Sequence, residues 1–284
     1  ERAIREMVYQ LTEKVTFIRH EIVKKKKKKR LDISLSYFSE TEQILGVSYD
    51  FTRIHQLEKM QKDFVGNVSH ELKTPITSLI GFTETLLDGA KDDPETLTTF
   101  LEIMQKEAQR LESLTQEIIQ LSKGSEMVYD EEQIQLRPFF NQLIAGYHRI
   151  IQEKNLSLIL EGPNDIIFQT KMELFYPVIK NLIENAIHYS IPNGKILIHY
   201  TNQNGLLIAI QDFGIGISQS DLERIFERFY RVDKARTRNT GGSGIGLAIV
   251  KDYVERLGGT IHVESHLGIG TTFTIHLPNL EGTY

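Results

Sequence analysis

The sequence predicts an α+β fold in three parts: a short strand-rich segment, a hairpin of two long helices, and a two-layer α/β sandwich. Three observations predict it. Between Leu31 and Phe38 the residues alternate, with Leu31, Ile33, Leu35 and Tyr37 on one side and Asp32, Ser34 and Ser36 on the other, as in a half-buried strand. From Arg53 to about Leu121 the apolar residues recur at threes, fours and sevens, the signature of amphipathic helices. Beyond Lys123-Gly124-Ser125, strand-like and helix-like periods take turns, as they do where helices cover one sheet.

The first part, residues 1–52, opens with a short helix (about Ile4 to Leu11) and continues with strand-like runs at Val15 to Val23, Leu31 to Phe38 and Ile44 to Phe51. The turn Ser39-Glu40-Thr41-Glu42 makes the last two antiparallel neighbours. Between the first two lies the run Lys24 to Lys29, followed by Arg30. Adjacent lysines repel, so a solvated loop is one reading. Attraction to an anionic membrane surface, worth about 1 kcal/mol per lysine, is the other.

The second part, residues 53–123, begins with a helix from Arg53 to about Leu87, striped by Ile54, Leu57, Phe64, Val68 and Leu72. Asp88-Gly89 and Asp92-Asp93-Pro94 break it, and Glu95 starts a second helix carrying Leu97, Leu101, Met104, Ala108, Leu111, Leu114 and Ile118. A single such hairpin leaves its stripe half exposed. Two copies paired into a four-helix bundle would cover it, so a homodimer is expected.

The third part, residues 130–280, has helical stretches at Leu136 to Glu153, Met172 to His188, Ser220 to Phe229 and Gly246 to Leu257. Strands are expected at Leu156 to Leu160, Ile196 to Tyr200, Leu206 to Ile210, Thr260 to Glu264 and Thr271 to Leu277.

Composition narrows the chemistry. The 284 residues suffice for two domains of ordinary size. A net charge of −5 gives no electrostatic reason for direct nucleic-acid contact. The absence of cysteine excludes disulfides, thiolate catalysis and Cys-ligated metals. No apolar run approaches the ~20 residues of a membrane helix. Glu1-Arg2-Ala3-Ile4-Arg5, without an initiator Met or a signal peptide, reads as a cut inside a longer protein.

Four segments carry candidate chemistry. In Asn181-Leu182-Ile183-Glu184-Asn185-Ala186, Asn181 and Asn185 share a helix face. They are either surface polarity or oxygen ligands for a phosphate-bound Mg²⁺. In Asp212-Phe213-Gly214-Ile215-Gly216-Ile217, the glycines serve a turn or the close approach of a ligand, and the Asp212 carboxylate can accept a hydrogen bond from an adenine amino group. The run Gly241-Gly242-Ser243-Gly244-Ile245-Gly246-Leu247 leads into a helix start, whose free N–H groups suit phosphate. It is neither a Walker loop nor a dinucleotide fingerprint. In Ser69-His70-Glu71-Leu72-Lys73-Thr74-Pro75, Thr74 lies one turn beyond His70. Glu71 can hydrogen-bond one imidazole nitrogen and leave the other as a nucleophile. Pro75 removes the hydrogen bond to the Glu71 carbonyl and is expected to bend the helix.

In this order, the Asn181, Asp212 and Gly242 segments resemble the N, G1 and G2 boxes of the ATPase fold shared by histidine kinases, heat-shock chaperones, gyrases and mismatch-repair ATPases. Phe226-Glu227-Arg228-Phe229-Tyr230 resembles the kinases' F box, and Tyr230 to Gly241 resembles their mobile lid. Gly268, Gly270, Thr271 and Thr272 resemble the G3 turn. The stretch from Phe64 to Pro75 resembles the H box of class I sensor histidine kinases, PAS-linked and similar to bacterial phosphate-regulon sensors. The first part resembles the last helix and final strands of a PAS domain.

The resemblance, which covers roughly residues 53–278, implies ATP and Mg²⁺ as cofactors and autophosphorylation of His70, with Glu71 and Thr74 as its catalytic companions. It implies Asn185 on Mg²⁺, Asn181 at the phosphates and Asp212 at adenine. Tyr189, Gly214, Gly216, Gly242, Gly244, Gly246, Leu247 and Thr272 complete the implied nucleotide site. His188 stands where many relatives carry a phosphate-binding lysine and would be a weaker, pH-dependent cation. The implied partners are a second copy of the chain and the receiver domain of a response regulator, which takes the phosphoryl group on an aspartate; phosphatase activity is implied as well. The implied setting is the cytoplasmic portion of a protein anchored in a bacterial membrane. Two other readings remain: an ATPase of the chaperone or topoisomerase kind, and a non-catalytic dimeric scaffold.

Overall fold

The computed structural model describes residues 2–10, 17–24, 29–122, 128–232 and 242–279. The centre of the lysine run, the Lys123-Gly124-Ser125 linker, Gly241 and the expected lid from residue 233 onward lie outside these. The chain forms two compact units, Glu1–His70 and Glu71–Tyr284.

In the first unit, helix α1 (Arg2–Gln10) precedes an antiparallel sheet in the order β1 (Phe17–Lys24), β2 (Lys29–Phe38), β3 (Gln43–Asp50). The alternation in β2 does what alternation should: Ile33 and Leu35 are buried with Met7 of α1, and Leu31 packs beside them. Strand β3 is exposed throughout. Helix α2 (Thr52–Leu87) begins immediately after it. Thr52 ties this start to the sheet, accepting from the Arg30 N–H at 2.8 Å and donating to Asp50 Oδ1 at 2.5 Å. Arg53 was the expected start; the helix begins one residue earlier because the Phe51 carbonyl already accepts from the His55 N–H at 3.0 Å.

The second unit contains the end of α2, a single 3₁₀ turn (Ala90–Asp92), and helix α3 (Pro94–Ser122). Asp93 caps α3, accepting from the Thr96 N–H at 3.2 Å. Pro75 lies within α2, which is continuous through it, and is buried. Phe82 and Phe100 pack with ring centroids 4.9 Å apart, and Leu86 and Leu114 are buried. Ile76, Ile80, Leu87, Leu101 and Ile119 remain exposed, leaving an apolar stripe of the kind a second hairpin covers.

The sandwich follows. A five-stranded sheet runs β5 (Ser157–Glu161), β7 (Lys195–Asn202), β8 (Leu206–Asp212), β10 (Gly270–Leu277), β9 (Thr260–His266). Only β5 and β7 pair in parallel; the other neighbours are antiparallel. Strand β8 alternates between buried and half-buried residues along its whole length. Ile196, Ile198, Ile208, Ile210 and Ile275 form the sheet's share of the core, and helices α4 (Leu136–Ala145), α6 (Met172–Tyr189) and α8 (Gly246–Arg256) supply Phe140, Phe175, Ile179, Ile183, Ile249 and Val254. Each such side chain contributes about 1.5–3 kcal/mol by leaving water.

Three expectations change. The helix expected from Leu136 to Glu153 is two helices, α4 and α5 (His148–Glu153), parted at Gly146-Tyr147, where the N–H groups donate to Leu143 O at 3.2 Å and Ile144 O at 2.9 Å, a tighter three-residue spacing. The helix expected from Ser220 to Phe229 is only α7 (Gln219–Leu222); beyond it the chain turns, and Phe229 adopts φ 62° as its N–H pairs with Gly244 O at 2.8 Å. A two-stranded ribbon, β4 (Glu132–Gln135) with β6 (Ile167–Thr170), was not expected at all.

Candidate active site

The face of α6 opposite its core side looks into a cleft of about 320 Å³. Asn181, Asn185, His188 and Tyr189 line one wall. The opposite wall is the glycine-rich turn before α8, through Gly242, Gly244, Gly246 and Leu247. The two walls touch: a Cβ at Gly246 would run into the Asn181 side-chain oxygen. Asn181 is fixed from behind, its amide donating to the Pro177 carbonyl at 2.8 Å. Gly244 takes φ 75°, which a side chain would resist, and a Cβ there would press on Phe229.

Charge in the cleft is arranged unevenly. His188 is half-buried and pushed below its ordinary value, first by burial and then by the positive charges of Lys154 and Arg231. Both effects favour its neutral form over the charged one. Lys154 itself is turned away, donating to the Ile187 and His188 carbonyls at 2.8 and 2.9 Å, where it complements the negative end of α6. Arg231 brings a positive charge to the cleft: its Nε and Nη2 are buried with no hydrogen-bond partner among the described residues. Burial raises the Tyr189 hydroxyl, whose ring meets His188 edge-on at 4.7 Å.

Asp212, Gly214, Gly216 and Thr272 do not line this cleft; of these, Gly214 touches it through Tyr189. Gly214 presses against the Tyr189 carbonyl so closely that a Cβ would overlap it, and the Ile215 N–H donates to that carbonyl at 3.3 Å. Asp212 is 6% exposed. Burial pushes its carboxyl up to about 6, partly opposed by backbone N–H groups, Gly214 at 2.9 Å first among them. Gly216, at φ 67°, lies against the His266 carbonyl. Cross-strand register pairs Asp212 with Thr271, whereas Thr272 pairs with Gln211 and so faces the other side of the sheet. The threonine beside Asp212 is thus Thr271, buried, with Ser265 Oγ 2.9 Å from its hydroxyl.

On α2, His70 and Thr74 are exposed and share a face. Glu71 is paired with Arg110 of α3 at 3.6 Å. Glu71 and Thr74, which share a unit with the cleft, do not line it.

Sequence reasoning missed several lining residues. Arg231 was visible only as one charge in a charged stretch. Glu117 and Ser113, which reach the cleft from α3, sit on a polar helix face that carries no distinguishing signal.

Residues 171–281 match the family described as histidine kinase-, DNA gyrase B- and HSP90-like ATPase, and residues 60–126 match the His kinase A (phospho-acceptor) domain. The chain is 37% identical to sensor histidine kinase WalK of Bacillus subtilis over 84% of its own length and 40% of WalK's. It is 35% identical to sensor protein SrrB of Staphylococcus aureus over 88% of its own length and 44% of SrrB's. It therefore spans about two fifths of these relatives. The fold is similar to that of histidine kinase ThkA, solved in complex with response regulator protein TrrA (TM-score 0.63, 22% identity, all of this chain and 84% of that one). It is also similar to Acinetobacter baumannii histidine kinase AdeS (TM-score 0.59, 24% identity, 74% of this chain and 98% of that one). With a phospho-acceptor hairpin followed by this ATPase sandwich, the chain belongs to the sensor histidine kinases of two-component systems.

Proposed function

We propose that the chain transfers the γ-phosphoryl group of ATP to a ring nitrogen of its own His70, and from there to an aspartate of a response regulator's receiver domain. The observation that carries this reading is the cleft in which Asn181 and Asn185 face the glycine-rich start of α8. Helix-terminal N–H groups that suit phosphate and amide oxygens that suit a phosphate-bound cation converge there.

Each residue then has a task. Asp212 accepts from the adenine amino group, with Thr271 beside it. Asn181 and the 242–246 turn hold the phosphates. Arg231, more than His188, opposes their charge. Asn185 would hold Mg²⁺ through its amide oxygen together with phosphate oxygens; no cluster of three acidic or His ligands exists among the described residues, and this ion commonly binds with few protein ligands. Mg²⁺ would supply charge neutralisation on the phosphates.

In the transfer, neutral His70 forms a P–N bond as the bond from the γ-phosphorus to its bridging oxygen breaks, and ADP leaves with that electron pair. Glu71, steadied by Arg110, accepts the imidazole's other N–H and makes the ring more basic. Most of the work is positioning, because the transition state is loose. Thr74 would orient water for a phosphatase reaction.

The apolar stripe of the hairpin supports a homodimer, and the ThkA–TrrA complex supports a response regulator as partner. Residues 1–52 would be the end of a PAS-like sensor domain, 53–123 the dimerisation and phosphotransfer hairpin, and 130–280 the ATP-binding domain. No helix among the described residues is long and apolar enough to cross a membrane. The proposed setting is the cytoplasmic portion of a membrane-anchored receptor.

The test is incubation with γ-labelled ATP and Mg²⁺ beside His70→Ala and Asn185→Ala. Acid-labile, base-stable label is expected on the parent and on neither variant. Label that survives His70→Ala would move the nucleophile elsewhere.

A further inference from the structure

The strongest unexplained feature of the cleft is a glutamate that comes from outside the ATPase sandwich. Glu117, on α3, is largely buried and lines the cleft together with Ser113. The Ser243 hydroxyl donates to Glu117 Oε2, and Ser243 Oγ in turn accepts from the Ile245 N–H at 3.1 Å. Ile245 is the N-cap of α8 and gives that helix no side-chain cap. The Glu117 carboxylate therefore stands, through one hydroxyl, at the positive end of α8, where a phosphate would bind. One turn further along α3, the Gln120 carbonyl accepts from the Tyr253 hydroxyl of α8 at 3.3 Å. Residues 117 and 120 share a face of α3, so that face is seated on α8 at two points.

A carboxylate is a costly choice for this position. Burial raises its proton affinity, and the Glu184 charge in the same cleft raises it further, while the Ser243 hydroxyl and Lys180 offset only part. An apolar side chain would seat α3 on α8 without that penalty. What an apolar side chain lacks is a negative charge in competition with phosphate.

We propose that Glu117 is an internal anion holding the phosphate end of the cleft, so that seating of α3 on α8 and binding of a nucleoside triphosphate exclude each other. The proposal rests on the ATP-binding reading above and adds a regulation to it. Entry of the phosphates takes over the Ser243 hydroxyl, expels Glu117 into water, and unseats α3. The sandwich then gains the freedom it needs to carry the γ-phosphate to a histidine on the hairpin. Without nucleotide, the same contact holds the sandwich against the hairpin in a resting arrangement.

The test titrates the non-hydrolysable analogue AMP-PNP, with Mg²⁺, into the whole chain by calorimetry. Glu117→Ala, Glu117→Gln and Glu102→Ala are measured beside the parent. Breaking one charge-assisted hydrogen bond before binding is worth about tenfold in affinity, so Glu117→Ala should bind about tenfold more tightly. Glu117→Gln keeps an oxygen for Ser243 but loses the charge and should fall between; it also carries the test if the alanine variant does not fold. Glu102, exposed and remote on α3, should have no effect when replaced. Parent-like or weaker binding by both Glu117 variants, with the parent binding normally, overturns the internal-anion role alone. No binding by any protein overturns the ATP reading and this proposal with it.

Discussion

Replacing Asp212 with asparagine should make the chain more stable at neutral pH and a poorer binder of nucleotide. Burial raises the Asp212 carboxyl from 3.8 to about 6. Below the lower value the group is neutral in both the folded and unfolded chain, and no penalty exists. As pH rises from about 4 to about 6 the unfolded chain releases its proton first, and folding is increasingly penalised; above about 6 the penalty is constant. Two pKa units correspond to about 3 kcal/mol. Asparagine, neutral like the protonated acid, removes that penalty; the bond from the Gly214 N–H is already counted in it, because it lowers the same pKa. The gain, about 3 kcal/mol at pH 7.5, corresponds to a melting midpoint roughly 6–12 °C higher for a domain of this size. Far-UV circular dichroism melts of parent and variant at pH 4 and pH 7.5 measure it, and AMP-PNP titration gives the matching loss of affinity. An equal advantage at both pH values, or none at pH 7.5, would refute the argument that the buried charge is what strains the apo site.

Two other substitutions probe the cleft walls. Gly246→Ala puts a methyl group into the Asn181 side-chain oxygen; overpacking of this kind costs about 1–3 kcal/mol, seen as a lower midpoint together with weaker AMP-PNP binding. Lys154→Met leaves the Ile187 and His188 carbonyls without their ammonium partner and removes one of the charges that depress His188. Its His188 should titrate at higher pH than in the parent, read from the imidazole proton shifts by NMR.

Much of the fold was legible because the sandwich obeys simple periodicities. Strand β8 alternates without interruption, and α8 starts at a glycine and stops before Gly258-Gly259. Illegible pieces had their conformation set by partners distant in sequence. Strand β4 contains a single apolar residue, Ile134, and exists because β6 pairs with it. The stretch after Leu222 has helical spacing, yet the bond from the Phe229 N–H to Gly244 O turns it out of a helix. The site shows the same division. Asn181 and Asn185 declare themselves by spacing on one helix. Choosing between Thr271 and Thr272 requires the register of β10 against β8, since a shift of one residue changes the face. Glu117 sits beside Gln116 on a polar surface, and only the position of α8 distinguishes it.

The single parallel contact in the five-stranded sheet bears on how the protein folds. Antiparallel neighbours can be joined by a tight turn, but β5 and β7 require a crossover, and the chain between them is β6 and then α6. The helix bearing Asn181 and Asn185 is therefore the very connection that lets the sheet acquire its β5 edge. Loop closure over this distance is among the slower events in the domain. The opposite wall of the cleft, Gly242 to Leu247, comes later still in the chain, so a chain emerging from synthesis has no nucleotide site to fill until that turn has been made.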